Sequence, residues 1–267
     1  MRSYLFIWPL LIPAFAHAQG EKIGQIETQG IRYATVDRAG NFYITTQDSL
    51  AQYDPDGNLL KKLFMPGITS FDTGNGVRLL AFEGKTQRYT ILSPSFNTIS
   101  AHAIDPSFAI DPALICSSGD YNILILDIAD WSLKKVDVRL SQVLTDFNID
   151  TAQLRPPDFI FMREYQNFIF LLDRQAGIMI YNSIGQHLQT IPAPGVTYFN
   201  FLGEELYYYK DNTLFFVDLF TGTERRYALK DASCRLVVLT DQRLYAVTDR
   251  TVTLFRFSPA ETLINKD

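Results

Sequence analysis

The strongest constraint on the fold is a unit of short apolar runs, rich in β-branched and aromatic residues, that recurs six times along the chain. The second run of each unit is the clearest, and these runs begin at residues 42, 77, 123, 168, 206 and 244, which spaces them by 35 to 46 residues. Most are preceded by another β-like run and a tight polar turn, such as residues 37–41 (DRAGN). This pattern is typical of antiparallel strands joined by tight turns.

A third run follows each second run, and several units then reach another turn and a fourth run. Four antiparallel strands in a unit of about 35–50 residues indicate a blade of a β-propeller. Parallel sheets are disfavoured because almost nothing between the runs could form a crossover helix. A two-sheet sandwich is the alternative, but it would not require the same four-strand unit six times. The sequence therefore predicts an all-β fold, a six-bladed β-propeller with four-stranded antiparallel blades.

The two ends of the repeat array predict how the ring closes. After residues 254–257 (LFRF) the chain has only a short, mostly polar tail, so the last unit lacks a fourth strand. Residues 23–28 (IGQIET) form a spare strand before the first unit begins at Ile31. We expect this N-terminal strand to pair with the last blade and close the ring, because an open sheet edge promotes aggregation.

Two stretches of the first unit resemble a known repeat family. Residues 36–45 (VDRAGNFYIT) and 50–59 (LAQYDPDGNL) are similar to NHL-type repeats, in which a D-x-x-G-N-x-Y turn is followed by a strand that ends in D-x-x-G. The resemblance extends over residues 31–64 and is partial at 178–188 and 214–223. It implies a six-bladed propeller of exported bacterial type, and it bears on the fold more than on any activity, because propellers host many functions.

The N-terminus predicts export. Arg2 precedes the apolar residues 4–15, and Ala16-His17-Ala18 forms an A-x-A cleavage site with Gln19 following. The apolar run is shorter than the ~20 residues that cross a bilayer, so a signal peptide over residues 1–18 is favoured over a buried helix. No later segment is apolar for long enough to span. The mature chain, residues 19–267, is expected to be a single propeller domain, periplasmic or secreted.

Composition excludes several function classes. With 47% hydrophobic and 20% charged residues the chain is globular, and its net charge of −5 without a Lys/Arg block argues against nucleic acid as a partner. We expect a monomer without a membrane span. Cys116 and Cys234 fall in units three and six, across the ring, so free buried thiols are favoured over a disulfide bond, which remains the alternative.

Catalytic motifs are missing from the sequence. Of the histidines, only His102 and His187 follow the signal segment, and both fall in fourth strands of different units. No nucleophile elbow, zinc-protease, dinucleotide or phosphate-loop pattern occurs. The mature chain is therefore expected to use no cofactor and to carry no catalytic residue.

A ring of carboxylates is predicted on one face of the propeller, where the turns between second and third strands and the connections between blades both open. We call it the acidic face. The turns carry one acid in every unit: Asp48, Glu83, Asp130, Asp173, Asp211 and Asp249. Such a ring would suit a cation or a basic partner. Asp is also common in turns for its own backbone hydrogen bonds, and neighbouring Lys and Arg residues would offset the field.

The longest connection between blades covers residues 140–158. Leu140, Val143, Leu144 and Phe147 follow helical spacing there, so the sequence predicts a short amphipathic helix that acts as a lid or a docking element. The aromatic run of the fifth unit, residues 198–216, is expected to pack mainly between blades.

Three functions remain open at the level of sequence. The favoured one is an exported, non-catalytic scaffold that binds a protein partner in the cell envelope or outside the cell, with the acidic face as the binding surface. The alternative is a divalent-metal-dependent hydrolase or lactonase, because propeller lactonases hold a divalent ion with Glu, Asp and Asn at this mouth. Asp158 and Asp231 would then hold calcium. A module that binds carbohydrate or another small ligand is the third.

Overall fold

The computed structural model describes residues 20–74, 76–119, 121–149, 157–229 and 233–258. These residues form twenty-four β-strands in six four-stranded sheets, and every neighbouring pair for which a register is defined is antiparallel. The predicted six-bladed propeller with four-stranded antiparallel blades is therefore confirmed. The predicted signal segment, residues 1–18, lies outside the described residues. The described part contains no helix that is long and apolar enough to cross a membrane.

The strands follow one another around the ring. The first strand is β1 (Lys22–Glu27), and blade 1 then contains β2 (Tyr33–Val36), β3 (Phe42–Thr45), β4 (Ser49–Tyr53) and β5 (Leu59–Phe64). Blade 2 contains β6 (Ser70–Asp72), β7 (Leu79–Glu83), β8 (Arg88–Leu92) and β9 (Thr98–Ala103). Blade 3 contains β10 (Pro112–Ser118), β11 (Asn122–Asp127), β12 (Ser132–Asp137) and β13 (Gln142–Asn148).

The second half repeats this arrangement. Blade 4 contains β14 (Phe159–Tyr165), β15 (Phe168–Asp173), β16 (Gly177–Tyr181) and β17 (His187–Pro192). Blade 5 contains β18 (Phe199–Leu202), β19 (Glu205–Lys210), β20 (Thr213–Asp218) and β21 (Glu224–Ala228). Blade 6 contains β22 (Leu236–Leu239), β23 (Arg243–Val247) and β24 (Thr251–Arg256).

The fourth strand of blade 6 comes from the other end of the described chain. β1 pairs antiparallel with β24, and the register places Gln25 opposite Thr253 and Ile26 opposite Val252. Ile26 is buried in this sheet. The sixth sheet therefore has the strand order β1-β24-β23-β22 and joins the first described strand to the last.

The core lies between the blades because each sheet is covered by a neighbour on both faces. This explains why several second and third strands are nearly continuous apolar runs: every residue of β3 and β16 is buried. Aromatic pairs join adjacent blades, such as Phe42 stacked on Tyr245 with ring centroids 4.3 Å apart. The fourth strands are mostly exposed, and they carry His102 and His187, as predicted.

The predicted helix within residues 140–158 is wrong. Residues Gln142–Asn148 form β13, the fourth strand of blade 3, and residues 150–156 lie outside the described part of the chain. The register shifts by one residue beside Leu144, which is a β-bulge. Val143 packs towards blade 2 and Phe147 towards blade 4. The bulge and this two-sided packing place apolar residues at a spacing that resembles a helix.

The cysteines lie in opposite parts of the ring. Cys116 is buried on β10 of blade 3, whereas Cys234 is half-buried just before β22 of blade 6, and both thiols are free. Burial raises the pKa of both thiols, that of Cys116 well above its ordinary value. Neither cysteine is therefore poised to act as a nucleophile near neutral pH.

Candidate functional site

The main cavity of the protein opens on the face opposite the acidic face. Because strands alternate in direction, this second face carries the turns between first and second strands and those between third and fourth strands. We call it the cavity face. Its turns between first and second strands contain the described residues 37–41, 73–74, 76–78, 119, 121, 166–167, 203–204 and 240–242. Its turns between third and fourth strands contain residues 54–58, 93–97, 138–141, 182–186 and 219–223. The cavity has a volume of about 690 Å³, and all six blades line it with the ends of their first strands or the turns that follow. It therefore lies on the axis of the ring.

The side chain of Arg163 forms the floor of the cavity. It projects from β14 in blade 4 and is only 10% exposed. The guanidinium donates hydrogen bonds to Asn200 Oδ1 of blade 5 and to Thr35 Oγ1 of blade 1, the latter over 3.3 Å. Its Nη2 also lies 3.5 Å from Asp72 Oδ1 of blade 2. One side chain therefore connects four of the six blades across the axis.

Asp72 is held in place from two further directions. Its Oδ2 accepts a hydrogen bond from the backbone N–H of Ser117 at 2.8 Å, and its Oδ1 accepts one from Gly74 at 3.1 Å. Burial alone would lower the pKa of Arg163, but the nearby Tyr33 and Asp72 raise it above its ordinary value. The pair is therefore charged, and both partners have several hydrogen bonds, as buried ions require.

An aromatic layer closes the channel behind this floor. Tyr33 of blade 1, Phe161 of blade 4 and Tyr198 before blade 5 contact one another with ring centroids 5.5 to 5.8 Å apart. Blades 1 and 4 stand opposite each other in a ring of six, so contact between Tyr33 and Phe161 fills the axis. Burial raises the pKa of Tyr33 well above its ordinary value, which keeps this phenol neutral. The cavity is therefore a blind pocket entered from the cavity face.

The wall of the cavity in blade 4 combines a carboxylate with an aromatic pair. Glu164 follows Arg163 on β14, and its Oε1 lies 3.6 Å from Lys135 Nζ of blade 3. Its Oε2 is buried and has no hydrogen-bond partner among the described residues. Tyr165 stacks on Phe201 of blade 5, with ring centroids 4.0 Å apart and an interplanar angle of 5°. The lining of the cavity therefore includes both an unsatisfied acceptor and a flat apolar surface.

The turn residues that carry the NHL-type resemblance have a structural role. Asp37 Oδ1 accepts hydrogen bonds from the backbone N–H groups of Ala39 and Asn41, and Asp37 Oδ2 accepts one from the Tyr43 hydroxyl at 2.8 Å. Asp54 accepts the same kind of bonds from the backbone of residues 56 and 58 in the second turn. Both are Asx-type turns, so these motif acids stabilise turns on the cavity face.

The predicted acidic-face residues all lie at or just beyond the ends of second strands, one in each blade. Asp173 differs from the others because it is 1% exposed and accepts hydrogen bonds from the backbone N–H groups of residues 158, 175 and 176. Asp48 accepts a bond from Thr46 Oγ1 at 3.0 Å, and Glu83 accepts one from Thr86 Oγ1 at 3.2 Å. These three carboxylates have local partners.

The other predicted acids are also engaged in or next to turns. Asp130 accepts a hydrogen bond from Ser132, which is the largest cause of its lowered pKa, and Lys134 lies 3.3 Å away. Asp249 forms an ion pair with Arg235 at 3.3 Å. Asp211 adopts a positive φ of 49° in a tight turn. The structure places these six acids on separate blades, and their role in binding stays a prediction.

The two residues predicted to hold a metal are not seen together. Asp158 accepts a hydrogen bond from Arg174 Nε at 2.8 Å, and Asp231 lies outside the described residues. No group of three or more His, Cys, Asp or Glu residues in the described part of the chain is arranged to hold a metal ion.

Exposed apolar side chains lie on the cavity face, outside the lining of the cavity itself. Four side chains in turns of the cavity face are more than 60% exposed: Val77, Leu140, Ile184 and Phe220. They come from blades 2, 3, 4 and 5, and the half-exposed Tyr121 lies in the neighbouring turn of blade 3. Tyr121 is held between the guanidinium groups of Arg78 and Arg139, at 4.2 and 3.7 Å from its ring centroid.

Sequence reasoning did not identify the residues that build this cavity. Arg163 and Glu164 do leave a signal, because they are a charged pair in the otherwise apolar and aromatic strand FIFMREY. Asp72 gives no such signal, since a short S-F-D-T segment before a turn is common. Its role depends on Arg163 and Ser117, which are distant in sequence.

No protein-family model and no curated protein sequence matches the chain. Solved structures do match. A streptogramin B lyase is similar at 12% identity over 91% of this chain and 86% of that chain, with a TM-score of 0.56. A chain of a mitotic checkpoint complex is similar at 10% identity over 96% and 100%, with a TM-score of 0.63. The Pan2 WD40 domain of Neurospora crassa is similar at 10% identity over 89% and 97%, with a TM-score of 0.57.

These likenesses agree with the strand topology, and together they define the class: the chain is a β-propeller. At 10–12% identity they show the fold alone. The resemblance to NHL-type repeats and the exported bacterial type stay predictions.

Proposed function

We propose that this chain is an exported, non-catalytic β-propeller that binds a protein partner through its cavity face. One observation carries the proposal: exposed apolar side chains from four blades lie on the same face of the ring as the mouth of the pocket. Exposed apolar surface with a polar surround marks interaction sites in soluble proteins. The proposal moves the binding surface from the acidic face, which the sequence favours, to the opposite side of the ring.

The chemistry of the cavity supports binding rather than catalysis. Arg163 and Asp72 neutralise each other, and the pKa of Tyr33 and Tyr198 is raised by burial. A nucleophile needs a pKa matched to its task, and burial moves the pKa of both phenols further above neutral pH. Export rests on the N-terminal segment, and N-terminal sequencing of the secreted protein should find Gln19 as its first residue.

The test is capture of the partner by the tagged mature chain from envelope extracts, with cross-linking and mass spectrometry. The wild-type chain is compared with Leu140→Asp and Ile184→Asp on the cavity face, and with Ile110→Asp as the matched control on the acidic face. We expect the first two variants to lose the partner and the control to keep it. A partner lost only by the control would place binding on the acidic face, and capture that no variant affects would contradict the proposal.

The metal-dependent hydrolase remains the competing interpretation. It predicts that calcium raises the midpoint of thermal unfolding and that Asp158→Asn abolishes the rise, because a ligand of the native state stabilises it. Our proposal predicts no calcium effect in either protein.

A further inference from the structure

We propose that the cavity receives a basic side chain of the protein partner, a lysine or an arginine, with the Glu164 carboxylate as its acceptor. This inference rests on the proposed function, because it names the group that enters the pocket when a partner covers the cavity face. Three features of the described residues lead to it: an unsatisfied acceptor, the sign of the lining charge and the aromatic wall.

Glu164 is the acceptor with spare capacity. Its Oε1 has only a distant contact, 3.6 Å from Lys135 Nζ, and its buried Oε2 receives no hydrogen bond from the described residues. A carboxylate oxygen that is removed from water without a donor is destabilised. Oε2 itself has almost no accessible surface, so the Glu164 side chain must rotate for this oxygen to meet an incoming ammonium or guanidinium. The N–H group would then supply the missing bond, and a charge-assisted bond of this kind is among the stronger ones.

The other buried carboxylates of the cavity are already satisfied. Asp72 accepts bonds from the backbone of Gly74 and Ser117 and faces Arg163. Asp37 accepts four hydrogen bonds from its own turn and from Tyr43. An incoming cation would therefore compete with existing bonds at these two residues, but not at Glu164 Oε2.

The lining charge favours a cation over an anion. The cavity is lined by four carboxylates and two guanidiniums, so its formal charge is 2 − 4 = −2. The residues counted are Asp37, Asp72, Glu164 and Asp241 against Arg38 and Arg163. Lys135 does not line the cavity but lies next to Glu164, and counting it brings the formal charge around the cavity to −1. A blind pocket with low-dielectric walls concentrates such a field.

The aromatic wall suits the stem of a long basic side chain. Tyr165 and Phe201 stack in parallel, and both line the same cavity as Glu164. Lysine and arginine pack their methylene groups on apolar surfaces while the charged end reaches a polar partner, and a cation over an aromatic face is stabilised further. The same chain uses this contact where the Arg225 guanidinium lies 3.8 Å from the Phe216 ring centroid.

The experiment is an NMR titration of the mature chain with small probes that carry blocked termini. The probes are N-acetyl-arginine amide and N-acetyl-lysine amide as cations, N-acetyl-glutamine amide as the neutral control and N-acetyl-glutamate amide as the anion. We expect the two cations to bind with shifts confined to residues of the cavity. The neutral probe should bind at least about tenfold more weakly, the factor expected for one charge-assisted hydrogen bond.

Variants identify the acceptor. Glu164→Gln should weaken both cations by about tenfold or more, whereas Glu83→Gln on the acidic face should leave them unchanged. If Glu164→Gln does not fold, Asp241→Lys at the exposed rim reverses the local charge without disturbing the core, and it should also weaken the cations. Equal binding of the neutral probe, preferred binding of the anion, or shifts outside the cavity would each overturn the inference.

Failure of this inference is distinguishable from failure of the proposed function. A partner that needs Leu140 and Ile184 but binds Glu164→Gln as tightly as the wild type would keep the function and reject the basic side chain. Cation binding in the cavity without any captured partner would keep the cavity as a cation site and reject the proposed function.

Discussion

Replacement of Arg163 by methionine should destabilise the protein substantially. Methionine keeps an unbranched apolar stem but removes the charge and the hydrogen bonds to Asn200 Oδ1 and Thr35 Oγ1. Asp72 then remains in a buried site with only two backbone donors, from Gly74 and Ser117. Breaking a buried ion pair by removing one partner costs about 3–5 kcal/mol. Because Asp72 keeps those donors, we expect the lower end, about 3 kcal/mol.

The assay is unfolding by urea and by heat, followed by circular dichroism and by the fluorescence of Trp131. Coincident transitions establish that one free energy of unfolding describes the protein. A loss of about 3 kcal/mol corresponds to a fall in the thermal midpoint of about 6–12 °C for a domain of this size. Asp72→Asn removes the charge but also one acceptor of a backbone N–H, so it destabilises the wild type; in the Arg163→Met background it should cost about 1–2 kcal/mol less than in the wild type.

Two results would refute this account of the floor. If Arg163→Met lies within about 1 kcal/mol of the wild type, the guanidinium does not hold the four blades together. If the double variant loses more free energy of unfolding than the two single variants lose together, the charge of Asp72 does not destabilise the protein once Arg163 is gone.

Three further predictions follow from single residues. Hydrogen bonds from the backbone of residues 110 and 111 and from Lys134 outweigh burial and lower the pKa of Asp127 to about 2. Asp127 should therefore contribute a fall in stability of about 2 kcal/mol as the pH drops from about 4 to 2; denaturation of Asp127→Asn across that range should show a slope smaller by that amount, and an unchanged slope would contradict it. Gly177→Ala should destabilise more than Gly195→Ala, because both have positive φ but a Cβ at Gly177 would meet backbone atoms at 2.3 Å; equal thermal midpoints would contradict this. Iodoacetamide should modify Cys234 before the more deeply buried Cys116, as peptide mass mapping would show.

The fold was predictable because its main features are local and repeated. A strand that is covered on both faces needs an unbroken apolar run, and the runs at residues 123–126 and 168–172 satisfy this within their own sequence. Tight turns such as residues 37–41 likewise carry their own hydrogen bonds. Six copies of such a unit leave few arrangements other than a ring.

The helix predicted near Phe147 failed for a local reason. Val143 and Phe147 are four residues apart, which is helical spacing, but they point to different neighbouring blades and a bulge beside Leu144 separates them. A spacing pattern over seven residues does not distinguish a bulged strand from a short helix.

The cavity was not predictable because its parts come from distant positions. Arg163 is 128 residues from Thr35 and 91 residues from Asp72 along the chain, and these contacts exist only once the ring has closed. The sequence instead drew attention to acids in turns. Several of those acids have the local partners that make Asp common in turns, as Asp173 shows most clearly.

The closed channel makes the two faces of the propeller independent. Tyr33 and Phe161 fill the axis between opposite blades, and Arg163 lies against Phe161 with its Cζ 5.6 Å from the ring centroid. A ligand at the acidic mouth therefore has no contact with one in the cavity. Effects of changes at distant, independent sites add, so combining Ile110→Asp on the acidic face with Leu140→Asp on the cavity face should weaken partner binding by the sum of the two separate effects, to which Ile110→Asp contributes nothing. A larger loss of partner binding than that sum would mean that a substitution on one face alters the structure of the other through the aromatic layer. The blind pocket would then have to be regarded as one end of a continuous channel.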